Sequence, residues 1–139
     1  MKDFYYKNDL PLQKDLFELF ISTGWNDEYK LTLKKYFNAV KNSWYFLCAY
    51  DADILIAFGR IISDGILHSL IVDLMVLPEY QGKGVGKNIL KRLTEKCISE
   101  GITDIKLFCA KGKSEFYLKN GFKVREIDAP GMEIKCEIK

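Results

Sequence analysis

The chain has 139 residues, a length that suits one compact domain over 1–139 and leaves no room for a second. Apolar residues make up 48% and charged residues 29%, which allows a real core in an ordinary soluble protein. The 21 basic and 19 acidic side chains leave a formal charge of +2, with no basic stripe, so no nucleic-acid partner is expected.

No secretory signal is expected at 1–7, and the apolar stretches at 54–58 and 71–77 are too short to span a bilayer. No membrane partner follows. Cys48, Cys97, Cys109 and Cys136 form no CxxC pair, and His68 is the single histidine, so no metal site is expected. The expected setting is cytoplasmic, with reduced thiols.

In chain order, 4–6 reads as a short edge strand. Asp9 and Pro11 open a helix carried by Leu12, Leu16, Leu19 and Phe20 as far as Gly24. A second helix is expected from about Asp27 to before Asn42, with Tyr29, Leu33, Tyr36, Phe37 and Val40 on its apolar side. Three strands, 44–50, 54–62 and 66–77, follow as an antiparallel meander, separated by turn-like 51–53 and 63–65. Beyond Pro78, Val85, Ile89, Leu90, Leu93, Cys97 and Ile98 mark the clearest amphipathic helix, which Gly101 ends. A strand at 105–109, a short helix at 114–120 and two last strands at 123–127 and 132–138 complete the series. The order is β-α-α-β-β-β-α-β-α-β-β, an α/β (α+β) arrangement.

The chemistry concentrates after the strand 71–76. Leu77-Pro78-Glu79-Tyr80 leads into Gln81-Gly82-Lys83-Gly84-Val85-Gly86 and then a helix. Glycines let the backbone approach a ligand and turn its N–H groups inward. The helix start adds unpaired donors and a partial positive charge. Together they make an anion site suited to a phosphate or pyrophosphate, with Lys83 and Lys87 close by. The P-loop pattern fails, because Gln81 stands where Gly is required and Asn88 where Ser or Thr is. The dinucleotide pattern GxGxxG fails at Lys87 and at Ile89.

At this point the sequence resembles the GNAT superfamily of N-acetyltransferases, small members in particular. The family's pyrophosphate loop, Q/R-x-x-G-x-G/A, is matched by Gln81, Gly84 and Gly86, and Val76-Leu77-Pro78-Glu79-Tyr80 is similar to its usual lead-in. Phe116-Tyr117-Leu118-Lys119-Asn120-Gly121-Phe122 is similar to its second signature, FYxKxGF. The element order matches across essentially the whole chain. The resemblance implies the acyl-CoA N-acyltransferase (GNAT) fold, a mixed, mostly antiparallel central sheet flanked by helices.

It further implies direct transfer of the acetyl group of acetyl-CoA to an amine, through a ternary complex. Backbone groups of Leu74, Met75 and Val76 would pair with the pantetheine arm, while Gln81, Gly82, Lys83, Gly84, Val85, Gly86 and Lys87 hold the pyrophosphate. An N–H near Met75 or Val76 would donate to the developing oxyanion, a contact worth about 3–4 kcal/mol in other enzymes. Tyr117 matches the family's general acid and lies by the cofactor; it is also placed to be a core aromatic beside Phe116 and Phe122.

Asp73 is the first candidate base and His68 the second, with turn anchoring and a strand end as their plainer roles. Cys109 raises a ping-pong scheme, against which buried cysteine usually serves as a small hydrophobe. Many family members carry an Asn between the fifth strand and the last helix. Here 110–114 reads Ala-Lys-Gly-Lys-Ser, so Ser114 or the backbone takes that place.

For the acceptor, Trp25 and Tyr29 offer an aromatic wall and Asp27 or Glu28 an attraction for a cationic amine; Trp25 serves equally well as a packing residue. The stretches Gly24-Trp25…Tyr29 and Asp128–Met132 look like arylalkylamine-type members. Aromatics near both ends of the chain are compatible with a homodimer. A non-catalytic acyl-CoA-binding or sensor domain on the same fold is the alternative.

Overall fold

Three long apolar runs in the middle of the chain pair into the frame on which everything else is placed. A computed structural model of the chain describes residues 3–136, which fall into two compact units divided after Leu107. The first unit carries strands β1 (Tyr5–Lys7), β2 (Tyr45–Asp51), β3 (Ile54–Ser63), β4 (His68–Val76) and β5 (Asp104–Leu107). Its helices are α1 (Gln13–Ser22), α2 (Asn26–Tyr29), α3 (Leu33–Lys41) and α4 (Val85–Ser99). The strands form one sheet in the order β1-β2-β3-β4-β5. The first four are antiparallel and β5 runs parallel to β4. A parallel pair needs a long crossover, which α4 supplies.

The two faces of the sheet follow from strand alternation. Phe58 points into a core with Leu16, Leu19 and Phe20 of α1, Tyr36, Phe37 and Val40 of α3, and Met75 of β4. Its neighbour Gly59 points the other way. A Cβ there would sit 2.9 Å from Ile89 Cγ2 and 3.0 Å from Leu93 Cδ1, so the absence of a side chain is what lets α4 close onto β3. Ile89, Leu90, Leu93 and Cys97 of α4 are buried on that side.

α4 ends as the sequence requires. Gly101 adopts φ 82°, and the Gly101 and Ile102 amides donate to Ile98 O and Cys97 O, a Schellman ending with Ile102 buried behind it. No described helix is long and apolar enough to cross a membrane.

Two expectations change. The single helix from Asp27 to Asn42 is two, broken at Lys30, which takes φ 56°. Asn26 satisfies the break by donating to Leu31 O and accepting from Leu31 N, and Thr32 caps α3 by accepting from the Lys35 amide. Local side-chain bonds here outcompete helix continuation.

The second unit holds α5 (Ser114–Lys119). The last two expected strands, 123–127 and 132–138, are not formed over the described residues, and 137–139 lie outside them. A turn closed by Ala129 N to Glu126 O, with Arg125 Nε donating to Ala129 O, occupies the end of the first stretch. Val124, Ile127, Met132 and Ile134 are exposed as a result.

Filling the space at Gly59 tests the close approach of α4. Gly59→Val is expected to lower the unfolding free energy by about 1–3 kcal/mol in urea denaturation. An unchanged midpoint would mean that α4 does not need the gap.

Candidate active site

The site grows from a break in β4. Opposite Phe58 to Arg60 of β3, a span of two steps, β4 uses three, from Met75 to Val72. The extra residue is a bulge, and Asp73 within it takes φ 54°, a left-handed conformation. Such a conformation costs an ordinary side chain about 1–2 kcal/mol, while Asp is among the few that tolerate it. Its carboxylate is anchored: Asp73 Oδ2 accepts from Arg60 Nε at 2.8 Å and from Tyr36 Oη at 3.1 Å. Arg60 Nη1 donates onward to Ala39 O and Ser43 Oγ, each at 3.3 Å.

The same break shapes the other edge of β4. Pairing with β5 runs from His68↔Asp104 to Ile71↔Leu107 and goes no further. Within the first unit, therefore, Met75 and Val76 have a strand partner on the β3 side alone, and Leu74 lies in the bulge with Asp73. A strand edge of this kind offers N–H and C=O groups to an extended ligand.

Beyond Val76 the chain tightens into a 3₁₀ turn, Pro78–Tyr80. Tyr80 Oη donates to Asp51 Oδ2 at 2.6 Å, and the Tyr80 ring meets Phe4 edge-on at 5.8 Å. Gln81 Nε2 donates to Val76 O at 3.0 Å, folding the start of the loop back on the strand. Gly82 and Gly84 then take φ 78° and 84°. A Cβ at either would meet nothing within 4 Å, so backbone conformation, not crowding, selects glycine here.

α4 starts directly after. No side chain caps it, so the first-turn amides from Val85 on are not spent within the protein by a capping group. Val85 is buried and pins the first turn to the core, while Lys83 and Lys87 are exposed beside it. A multiply charged phosphate matches this cradle of donors at the positive end of a 15-residue helix.

In the second unit Tyr117 is half-buried on α5. Its ring meets Phe116 and Phe122 edge-on at 5.1 and 5.9 Å. Gly121 at φ 93° reverses the chain so that the Phe122 amide donates to Tyr117 O. Burial, and then the neighbouring Cys109, raise the phenol above its ordinary value. Ser114 begins α5 and is exposed, and Cys109 is exposed rather than buried.

The first unit thus brings together Asp73, Leu74, Met75 and Val76 with the loop from Gln81 to Lys87. Trp25 is half-buried and packs edge-on against Phe20 at 6.4 Å, and Phe20 in turn stacks on Tyr36 at 3.9 Å. Two rings, Phe20 and Tyr36, separate it from Asp73. Tyr29 is 64% exposed on α2. His68 lies at the opposite end of β4, roughly 20 Å from Met75 at the usual strand rise. There it pairs with Asp104, which also pairs with Lys106.

Arg60, Tyr36 and Asp51 were not singled out from the sequence. A signal existed for the first: Arg60 and Asp73 are lone opposite charges inside two adjacent apolar strand runs, and each needs a partner.

Known proteins resemble this chain in sequence and in fold. Residues 42–124 match the family model described as an acetyltransferase (GNAT) domain. An uncharacterized N-acetyltransferase, ycf52, of the red alga Pyropia yezoensis is 32% identical over 87% of this chain and 71% of its own length. A probable acetyltransferase of unknown function from meticillin-resistant Staphylococcus aureus superposes with TM-score 0.81 at 28% identity, covering 96% of this chain and all of that one. The PaiA N-acetyltransferase of Thermoplasma acidophilum, solved in complex with coenzyme A, shares the fold, with TM-score 0.71 at 23% identity over 88% of this chain and 91% of its own.

Gly84→Ala forces a Cβ into the left-handed region in open space, and is expected to cost about 1–2 kcal/mol of stability by urea denaturation. No loss of stability would mean that the loop relaxes to a different path.

Proposed function

This chain belongs to the GNAT acetyltransferase family, and we propose that it transfers the acetyl group of acetyl-CoA directly to an amine of a small molecule, a peptide N-terminus or a lysine. The observation that carries this is the continuity, within the first unit, of the β4 edge at 74–76, which lies beyond the end of its pairing with β5, with an uncapped, glycine-hinged helix start at 82–86. The first suits an extended amide-bearing arm and the second suits a pyrophosphate. When bound, acetyl-CoA supplies the activated thioester. A C–N bond forms, the C–S bond breaks, one proton leaves the nitrogen and one reaches the sulfur.

The protein's tasks follow. Amides of Met75 or Val76 stabilise charge on the carbonyl oxygen, as preorganised donors do. Gln81, Gly82, Lys83, Gly84, Val85, Gly86 and Lys87 hold the phosphates, and Ser114 assists. Tyr117 gives the thiolate its proton, and we take both units to work as one acetyltransferase domain. The two side chains named for the amine proton are otherwise committed, Asp73 to Arg60 and Tyr36, and His68 to Asp104. Solvent therefore receives that proton. Tyr29 and Trp25 remain the acceptor-side candidates. The unpaired thiols Cys48, Cys97 and Cys109 suit a reducing, cytoplasmic setting.

Thiol release from acetyl-CoA against a panel of small amines and peptides tests the activity. Turnover on at least one amine is expected; tight binding with no release on any would favour a non-catalytic acyl-CoA sensor. Tyr117→Phe is expected to lower kcat by roughly 10²-fold or more with KM for acetyl-CoA little changed. The sign of the pH dependence is fixed by the raised phenol, which must be protonated to act. Wild-type activity should hold through neutral pH and fall on this account only above about 10, the free-phenol value. The Phe variant should lack that alkaline fall. Equal turnover of the two proteins across pH would remove Tyr117 from the mechanism.

A further inference from the structure

The bulge in β4 sits immediately before the amides assigned to the carbonyl oxygen, and three side chains fix it. We propose that Tyr36, Arg60 and Asp73 form a clamp that sets the backbone of Leu74, Met75 and Val76, which makes all three positioning residues and Asp73 an anchor rather than a proton acceptor. The proposal rests on the acetyl-transfer function above.

Asp73 is the residue at positive φ, so its conformation turns the chain between the regular part of β4 and the segment 74–76. One oxygen, Oδ2, receives both the Arg60 guanidinium and the Tyr36 phenol. Both members of the ion pair are largely buried, with side chains 12% and 18% exposed. A largely buried, hydrogen-bonded pair of this kind resists displacement, because losing one partner leaves the other charge buried and uncompensated.

Arg60 extends the anchor. By also donating to Ala39 O and Ser43 Oγ, it ties the bulge to the end of α3. Tyr36 ties it to α1 through the stacked Phe20 ring, at 3.9 Å between centroids and 10° between planes. Burial, and then the Asp73 carboxylate, hold the Tyr36 phenol far above its ordinary value, so it remains a donor at every working pH. Tyr36 Oη also lies 3.9 Å from Met75 Sδ, on a residue whose amide the mechanism uses. No fully buried side-chain nitrogen or oxygen among the described residues lacks a hydrogen-bond partner, the buried part of the clamp included.

Across the strand, Gly59 of β3 lets Ile89 and Leu93 of α4 approach the bulge region. The helix whose first turn faces the phosphates is thereby packed beside the strand whose amides face the acetyl group. A shift of 74–76 relative to α4 would separate the two halves of the donor site.

The experiment combines steady-state kinetics with backbone amide spectra of wild type, Arg60→Gln, Asp73→Asn, the double variant and Tyr36→Phe. Asn keeps the tolerance for left-handed backbone, and Phe keeps the stack on Phe20, so these variants are the ones that should fold. Arg60→Gln and Asp73→Asn are each expected to lower kcat about tenfold, and the double variant to be no worse than either, as for residues acting as a unit. KM for acetyl-CoA and the shape of the pH profile should stay as in wild type. The amide resonances of Leu74, Met75 and Val76 should move in all the variants.

A far larger loss in Asp73→Asn than in Arg60→Gln, with the acidic limb of the profile removed, would overturn the clamp in favour of a proton acceptor. Lowered melting temperature with unchanged kcat and unmoved amides would leave only a stabilising pair, and also overturn it. If wild type turns over no amine, acetyl transfer itself fails. The amide shifts then decide the clamp alone, and unmoved resonances at 74–76 refute it.

Discussion

β4 cannot serve two neighbours along its whole length, and the placement of the functional groups follows from where it stops. Up to Ile71 it is an interior strand between β3 and β5. At Asp73 an extra residue at φ 54° interrupts its register with β3, and from there to Val76 it is paired within the first unit on one side only. An interior strand with satisfied edges has nothing to offer a ligand. A strand released from one neighbour while still held by the other offers donors and acceptors in fixed geometry. The cost of the left-handed residue is met by choosing Asp and by bonding its carboxylate twice.

The second constraint is helical. α4 closes the crossover to β5 and must begin just past the freed end of β4, so its uncapped amides and the freed edge are close in sequence as well as in space. Gly82 and Gly84 at positive φ make the reversal feasible, and the Gln81 side chain holds the loop to Val76 O. Tyr80, bonded to Asp51 and packed on Phe4, braces the turn from the opposite end of the sheet order. The backbone at 74–86 is thus held in part by residues outside it, Asp51 and Phe4 among them.

Much of this was legible in the sequence. Strand-like composition between turn signals predicted β2, β3 and β4, and helical periodicity predicted α4, because each buries enough apolar surface to show in the sequence. The loop at 81–86 stood out for a different reason: three glycines at the start of an amphipathic helix. The break at Lys30 was hidden, since it depends on the Asn26 side chain bonding across the turn. The strands expected at 123–127 and 132–138 are not formed over the described residues, because a strand needs a partner edge that a local reading of the sequence does not supply. Asp73 was singled out for its charge alone. Its charge suggested a proton acceptor, whereas its partner Arg60, thirteen residues earlier on another strand, becomes evident only once the register is known.

The most direct measurement uses acetyl-CoA carrying ¹³C in the acetyl group, an accepted amine, and mass spectrometry of protein and small molecules within one turnover. Direct transfer predicts label in the amine as free thiol appears, with the protein mass unchanged throughout. Label accumulating on the protein, at Cys109 or elsewhere, or label that never leaves acetyl-CoA, would contradict it.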